Sequence, residues 1–210
     1  MARSKPLRSS LLAMLTAGLA AGMTAVASPG EVEAGEAECP APVGRIASVE
    51  GGVERRTADG EWRPARIEEP LCAGDAIRTG RFSRAAIALT NDSVLRLDQE
   101  TTLQVGAVPV DEPSMLSLIK GIMQVFSHRP RSLSINTPFV NASVEGTEFV
   151  VLAADDRSAV TVFDGKVRAS NSLGAVTLVA AGTAEARADS APVQSVAVRP
   201  RDAARWTLYY

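Results

Sequence analysis

From Val43 onward, apolar and polar positions alternate with a period of two in short runs, and Gly, Asn and Asp interrupt them. Successive side chains of an extended chain point to opposite sides, so this alternation marks strands with one buried face. Ile46 and Val53 open two strands separated by Glu50-Gly51-Gly52, and Asp59-Gly60 makes a hairpin turn leading to Trp62. Residues 85–90 and 93–98 flank Asn91-Asp92, where adjacent Val94 and Leu95 leave both faces partly apolar and favour strands covered on both sides. Residues 115–119 and 122–126 read as two strands around a Lys120-Gly121 turn, and Phe149, Val160 and Lys166 open further strands, with Asp164-Gly165 between the last two. Phe139, Phe149, Phe163 and Trp62 fall where core packing is expected, the indole N–H of Trp62 finding a partner at the edge.

The spacing predicts an all-β fold of many short strands between residues 43 and 199, arranged as a sandwich, a roll or a short β-solenoid. Pro109, Pro113, Pro130 and Pro138 rule out long helices in this body, because proline lacks the amide donor and clashes with the preceding turn. Similar layouts in residues 84–105 and 147–169 hint at stacked structural units. After a last strand over 193–199, Pro200 and Asp202 stand where one short helix would start. The chain then runs into Trp206-Thr207-Leu208-Tyr209-Tyr210 with no charge beyond Arg205. Trp206, Leu208 and Tyr209 share a helical face, and residues 200–210 read as a short helix or the junction to a missing segment. They are expected to border a contact with a partner or a downstream segment; the alternative is a tail folded back on its own sheet.

At the other end, Arg3, Lys5 and Arg8 precede an apolar run over residues 11–21, and Ala25-Val26-Ala27 supplies the small residues of a cleavage site. Residues 1–27 are therefore expected to be a secretory signal cleaved before Ser28, with no transmembrane span in the mature chain and a periplasmic or secreted location. Residues 28–42, with four glutamates and with Pro29, Gly30 and Gly35 before Pro40 and Pro42, read as an acidic flexible linker leading to Cys39 and the domain.

Loss of the signal removes three positive and no negative charges, taking the formal balance from −2 to −5 and disfavouring nucleic acid as a partner. Two cysteines in an exported chain favour a Cys39–Cys72 disulfide, the alternative being a pair of buried thiols. No catalytic, cofactor or metal set is legible. His128 is the sole histidine and reads as an exposed residue beside Pro130, with no second ligand to complete a zinc site. Asp155 and Asp156 are adjacent, so they cannot flank one glycosidic bond and read as a solvated turn. Arg78, Arg81 and Arg84 read as a solvated loop, and Gly146-Thr147 lacks the glycine-rich run and lysine of a phosphate loop.

Two blocks carry a family resemblance. The first is Gly74-Asp75-Ala76-Ile77-Arg78-Thr79-Gly80 followed by Ser83-Arg84-Ala85; the second is the stretch from Ser134 through Thr137-Pro138 and Gly146-Thr147 to Phe149 and Val151. Together they resemble the extracytoplasmic domain of the FecR family over roughly residues 43–170. The resemblance implies that Gly74, Asp75, Arg78, Thr79, Gly80, Ser83, Arg84, Thr137, Pro138, Gly146, Thr147 and Phe149 are structural motif positions, and that residues 43–199 form a FecR-like β domain serving binding, assembly or signalling in the cell envelope. Sigma-factor regulation is not expected to carry over, because only ten residues precede the apolar run and leave no room for a cytoplasmic regulatory domain. The C-terminal residues resemble the junction of FecR-domain proteins that continue into tetratricopeptide repeats. The expected partner is accordingly another envelope protein or a downstream repeat segment, with a cell-wall or polysaccharide ligand as the alternative, and a hydrolase a distant third.

Overall fold

A computed structural model describes Cys39, residues 41–106, 114–127, Arg129, residues 133–144 and 148–196, and Trp206. The expected signal, most of the acidic linker, His128, Gly146, Thr147, Leu208 and Tyr209 lie outside the described residues, as does the short helix expected after Pro200 except for Trp206.

Seventeen strands make up the described chain: β1 (Gly44–Glu50), β2 (Val53–Arg56), β3 (Arg63–Pro64), β4 (Pro70–Leu71), β5 (Ala76–Thr79), β6 (Arg84–Leu89), β7 (Val94–Leu97), β8 (Thr102–Val105), β9 (Ser114–Phe126), β10 (Leu133–Asn136), β11 (Asn141–Val144), β12 (Glu148–Ala153), β13 (Arg157–Asp164), β14 (Lys166–Asn171), β15 (Gly174–Val179), β16 (Gly182–Arg187) and β17 (Val193–Val196). The all-β expectation holds, and the pairing defines the architecture. One sheet runs β4-β1-β6-β7-β9-β12-β13-β16-β17, the other β3-β2-β5-β8-β9-β10-β11-β14-β15. From β10 onward the chain places strands two at a time in alternate sheets and advances steadily along both. The result is a two-layered roll. The stacked layouts noted in the sequence correspond to β6-β7-β8 and β12-β13-β14, each of which puts two strands in the first sheet and one in the second.

Strand β9 belongs to both layers, and here the sequence expectation of two strands and a turn is wrong. Its first half pairs with β8 and, in the one parallel pairing among the described strands, with β10; its second half pairs with β7 and β12. Gly121 sits at the crossing with φ +101°, a region that side-chain-bearing residues avoid, and a Cβ there would lie 2.5 Å from Thr101 Cα. Glycine bends the strand from one sheet into the other without reversing it.

Inward positions of both sheets fill one apolar cluster that includes Ile46, Ile77, Leu95, Leu103, Leu118, Met123, Ile135, Phe149, Val151, Val162 and Leu178, all at most 1 % exposed. Phe149 is in this core as expected. Phe139 is half-buried on a bend outside the strands, packed against the cluster. Phe163 alternates with inward Val160 and Val162, so it is half-buried on the outer side of the first sheet and not in the core.

Candidate interaction surfaces

The family-motif residues that the structure describes act as locks on turns. Asp75 is 2 % exposed; its Oδ2 accepts from Arg55 Nη2 (2.6 Å), Arg55 Nε (3.1 Å) and the Cys72 amide (2.8 Å). Arg55 also donates through Nη1 to Glu69 Oε1 at 2.7 Å. Burial alone would lower the Arg55 pKa, but the hydrogen bonds and charges of Asp75 and Glu69 outweigh it and hold the pKa above its ordinary value, so the guanidinium stays charged. Gly74, at φ +93°, turns the chain between the Cys39–Cys72 disulfide and β5 and donates its amide to Val105. The disulfide, with Cα atoms 5.8 Å apart, is paired as expected.

Thr79 Oγ1, buried, donates to the Asp98 carbonyl at 2.5 Å and accepts from the Thr101 amide. Ser83 Oγ accepts from the Gly52 amide and donates to the Arg81 carbonyl, while the Gly80 amide bonds Gly52. Thr137 Oγ1 donates to the Val140 carbonyl at 2.5 Å and accepts its amide, closing the bend that holds Pro138. Arg78 pairs with Glu54 at 2.6 Å, and Arg84 lies 3.5 Å from Asp98. Arg78 and Arg84 are thus tied into the domain, while Arg81 lies 5.3 Å from the Phe82 ring centroid.

Trp62 is a further correction. It stands half-buried beside β3, outside the core, with the guanidinium carbons of Arg78 and Arg56 lying 4.3 and 5.0 Å from its ring centroid. A large aromatic predicts burial, yet stacking against cations gives it partners at the surface.

Sequence reading missed Phe82. It is 85 % exposed at φ +54°, a backbone region costly for a bulky residue, and its amide donates to Gln99 Oε1 at 3.0 Å. The flanking Ser83 and Gly80 bonds fix the same turn, so the ring is presented on a rigid support. Arg55 was also missed, although its period-two relation to inward Val53 placed it inside.

The outer faces of the two sheets differ. On the second, Ser117, Asn136, Asn141 and Ser170 align in register across β9, β10, β11 and β14. Ser134, Ser143, Arg168 and Thr177 form the neighbouring row across β10, β11, β14 and β15, and Asn141, Ser143, Arg168 and Thr177 are exposed. On the first, Gln124, Val150 and Thr161 align across β9, β12 and β13, and all three are buried.

Among the described residues no three metal-ligating side chains come together. Asp155 and Asp156 lie in an exposed turn, where Asp156 is within 3.5 and 3.6 Å of Arg157 and Arg187. A shallow groove of about 520 Å³ along β1 is crossed by the Arg45–Glu68 ion pair, and its side chains form no catalytic constellation. No helix among the described residues is long and apolar enough to cross a membrane.

No curated protein matches the chain. Two crystal structures of a candidate anti-sigma factor from Parabacteroides distasonis, at 1.65 and 2.50 Å resolution, share the fold with TM-scores of 0.57 and 0.56. Each is 16 % identical over 63 % of this chain, and the chain covers 64 % and 63 % of their lengths. At that identity the likeness is one of fold. The family model described as "FecR protein" matches residues 75–168, from the buried Asp75 lock to β14. The resemblance carried by Gly74–Ala85 and Ser134–Val151 is thereby borne out over residues 75–168, which match the FecR domain.

Proposed function

We propose that the protein is an exported, non-catalytic module of the cell envelope that acts by binding or assembly in a regulatory or signalling system. The observation that carries the reading is the use of the motif side chains. Asp75, Thr79, Ser83 and Thr137 all close contacts within the domain, so the FecR signature builds a scaffold and leaves recognition to other positions. The Phe82 turn and the exposed polar rows of the second sheet are the positions offered. A disulfide suits an oxidising compartment, and the fold neighbours described as anti-sigma factors favour a regulatory setting.

The test is capture from envelope extract on the immobilised mature protein. A protein recovered by the parent and lost on Phe82→Ser or Arg168→Glu supports the reading, and failure of both substitutions to reduce capture overturns it. A glycan ligand is the second reading, and it draws on Trp62, whose ring lies at the surface. Recovery of glycan in place of protein, abolished by Trp62→Ala, would install it instead.

A further inference from the structure

Four strands end the two sheets, β4 and β17 the first and β3 and β15 the second. A free strand edge offers unpaired amides and carbonyls, and natural edges are blunted by shortness, proline or charge. At the N-terminal end of the roll both edges are blunt: β3 is Arg63-Pro64 and β4 is Pro70-Leu71, with Arg66, Glu68 and Glu69 between them. Strand β15 has none of these protections. It runs for six residues, Gly174–Val179, without a charge or a proline, and its only pairing among the described residues is with β14.

The direction of its free groups follows from the hairpin. Asn171 and Gly174 close the two-residue turn Ser172-Leu173 and so form a hydrogen-bonded pair. Alternation then turns the amides and carbonyls of Gly174, Val176 and Leu178 toward β14, and those of Ala175, Thr177 and Val179 toward the open side. The same end of the roll is apolar at its surface. Leu173, Val179 and Val193 are 57, 54 and 67 % exposed, three of the seven large apolar side chains that stand exposed among the described residues. Asn171 Nδ2 donates to the Ser190 carbonyl at 2.7 Å, which sets the turn before β15 beside the turn before β17.

We propose that the open edge of β15 pairs antiparallel with β15 of a second copy, joining two rolls about a two-fold axis at Thr177. The strand is complementary to itself in that register. Thr177 meets Thr177 and Ala175 meets Val179 of the second copy as hydrogen-bonded pairs, so every residue that faces the open side is engaged. On the inner face Val176 meets Leu178, and since Leu178 belongs to the core and Val176 packs against it, the apolar layer continues from one copy into the other. Charge permits the contact. Each Arg168 stands opposite its own Thr177, so the two guanidinium groups are three strand spacings apart, about 14 Å at ~4.8 Å each, beyond the ~8 Å screening length at physiological salt. The pairing requires none of the positions offered for binding, Phe82 and Arg168 included.

The experiment follows the mass of the full mature chain by sedimentation velocity over a dilution series. A dimer that dissociates on dilution is expected. Thr177→Pro removes an amide that faces the open side and spares those bonded to β14, so it is expected to abolish the dimer at unchanged strand content by circular dichroism. Thr177→Cys is expected to join the copies by a disulfide on mild oxidation, because Cα atoms at a hydrogen-bonded pair lie about 5.5 Å apart. Ser143→Cys, exposed on the same face but two strands in from the edge, is expected to give no cross-link. A chain that stays monomeric at its highest soluble concentration overturns the proposal, as does a dimer that survives Thr177→Pro. Should Thr177→Pro fail to fold, the cross-link decides, since Thr177 is exposed and its replacement by cysteine leaves the backbone pairing intact. Absence of that cross-link overturns the proposal. A monomer that captures an envelope protein and loses it with Thr177→Pro assigns the edge to a foreign strand and overturns it as well.

Discussion

The two outer faces of the roll are built from strands with the same alternation, and they end as opposite surfaces. On the second sheet, Asn141, Ser143, Arg168 and Thr177 stand exposed in registered rows. On the first, Gln124, Val150 and Thr161 are aligned by the same kind of antiparallel ladder and are dry. Period two fixes which residues point outward, but the fate of the outward face depends on what those residues are. Ser, Asn and Arg remain hydrated at little cost, whereas Ile122, Phe126, Leu152 and Phe163 gain about 25 cal/mol per Å² by leaving water. Sheet geometry and surface chemistry are therefore separable in this fold.

The interior gives the scale against which the faces are to be tested. Arg55→Leu leaves the buried Asp75 carboxylate without its principal partner and is expected to cost about 3–5 kcal/mol in urea unfolding. A loss below 1 kcal/mol would show that the lock is not what holds β2 to β5. Replacing both cysteines by serine opens a disulfide with a sequence separation of 33 and is expected to cost about 3–4 kcal/mol by the chain-entropy argument.

Next comes the comparison itself. Val150→Asp puts a charge on the covered face and is expected to cost on the order of 3 kcal/mol, read as a lower urea midpoint at unchanged slope. The matching Ser143→Asp on the exposed face is expected to stay within about 0.5 kcal/mol. Equal effects at the two positions would abolish the distinction between the faces. Gln124→Met sharpens it further: Gln124 Oε1 is buried without a hydrogen-bond partner, so the substitution is expected to change stability by less than about 1 kcal/mol despite the lost bond to Glu148. A much larger loss would mean that the amide is satisfied and that the face is wet.

Most strands were legible because alternation is a local property that pairing then preserves. The FecR blocks were legible for a related reason: Asp75, Ser83 and Thr137 each bond a group two or three residues away that the turn itself brings close, so their spacing is constrained. What escaped was decided at long range. Lys120-Gly121 has the composition of a turn, and only pairing with β8 and β10 on one side and β7 and β12 on the other makes it a bend within β9. Trp62 was assigned to the core by its size, while its actual neighbours, Arg56 and Arg78, come from β2 and β5. Phe163 could have been placed correctly, since Val160 and Val162 alternate with it and, with those two inward, parity sends 163 outward. Phe82 left no comparable trace, because a positive φ at a non-glycine residue has no reliable sequence signature.

The passage of β9 through both sheets has a mechanical consequence. A strand that slips by one residue turns every inward side chain outward, and in an ordinary sandwich one layer can suffer that fault while the other remains intact. Here a slip of β9 against β12 would pull on the same backbone that pairs with β8, across a bend tied to Thr101, whose hydroxyl bonds the amide and carbonyl of Ile122. The two layers are geared together. A pull transmitted along the first sheet meets resistance from the second, so the roll yields to tension as one body.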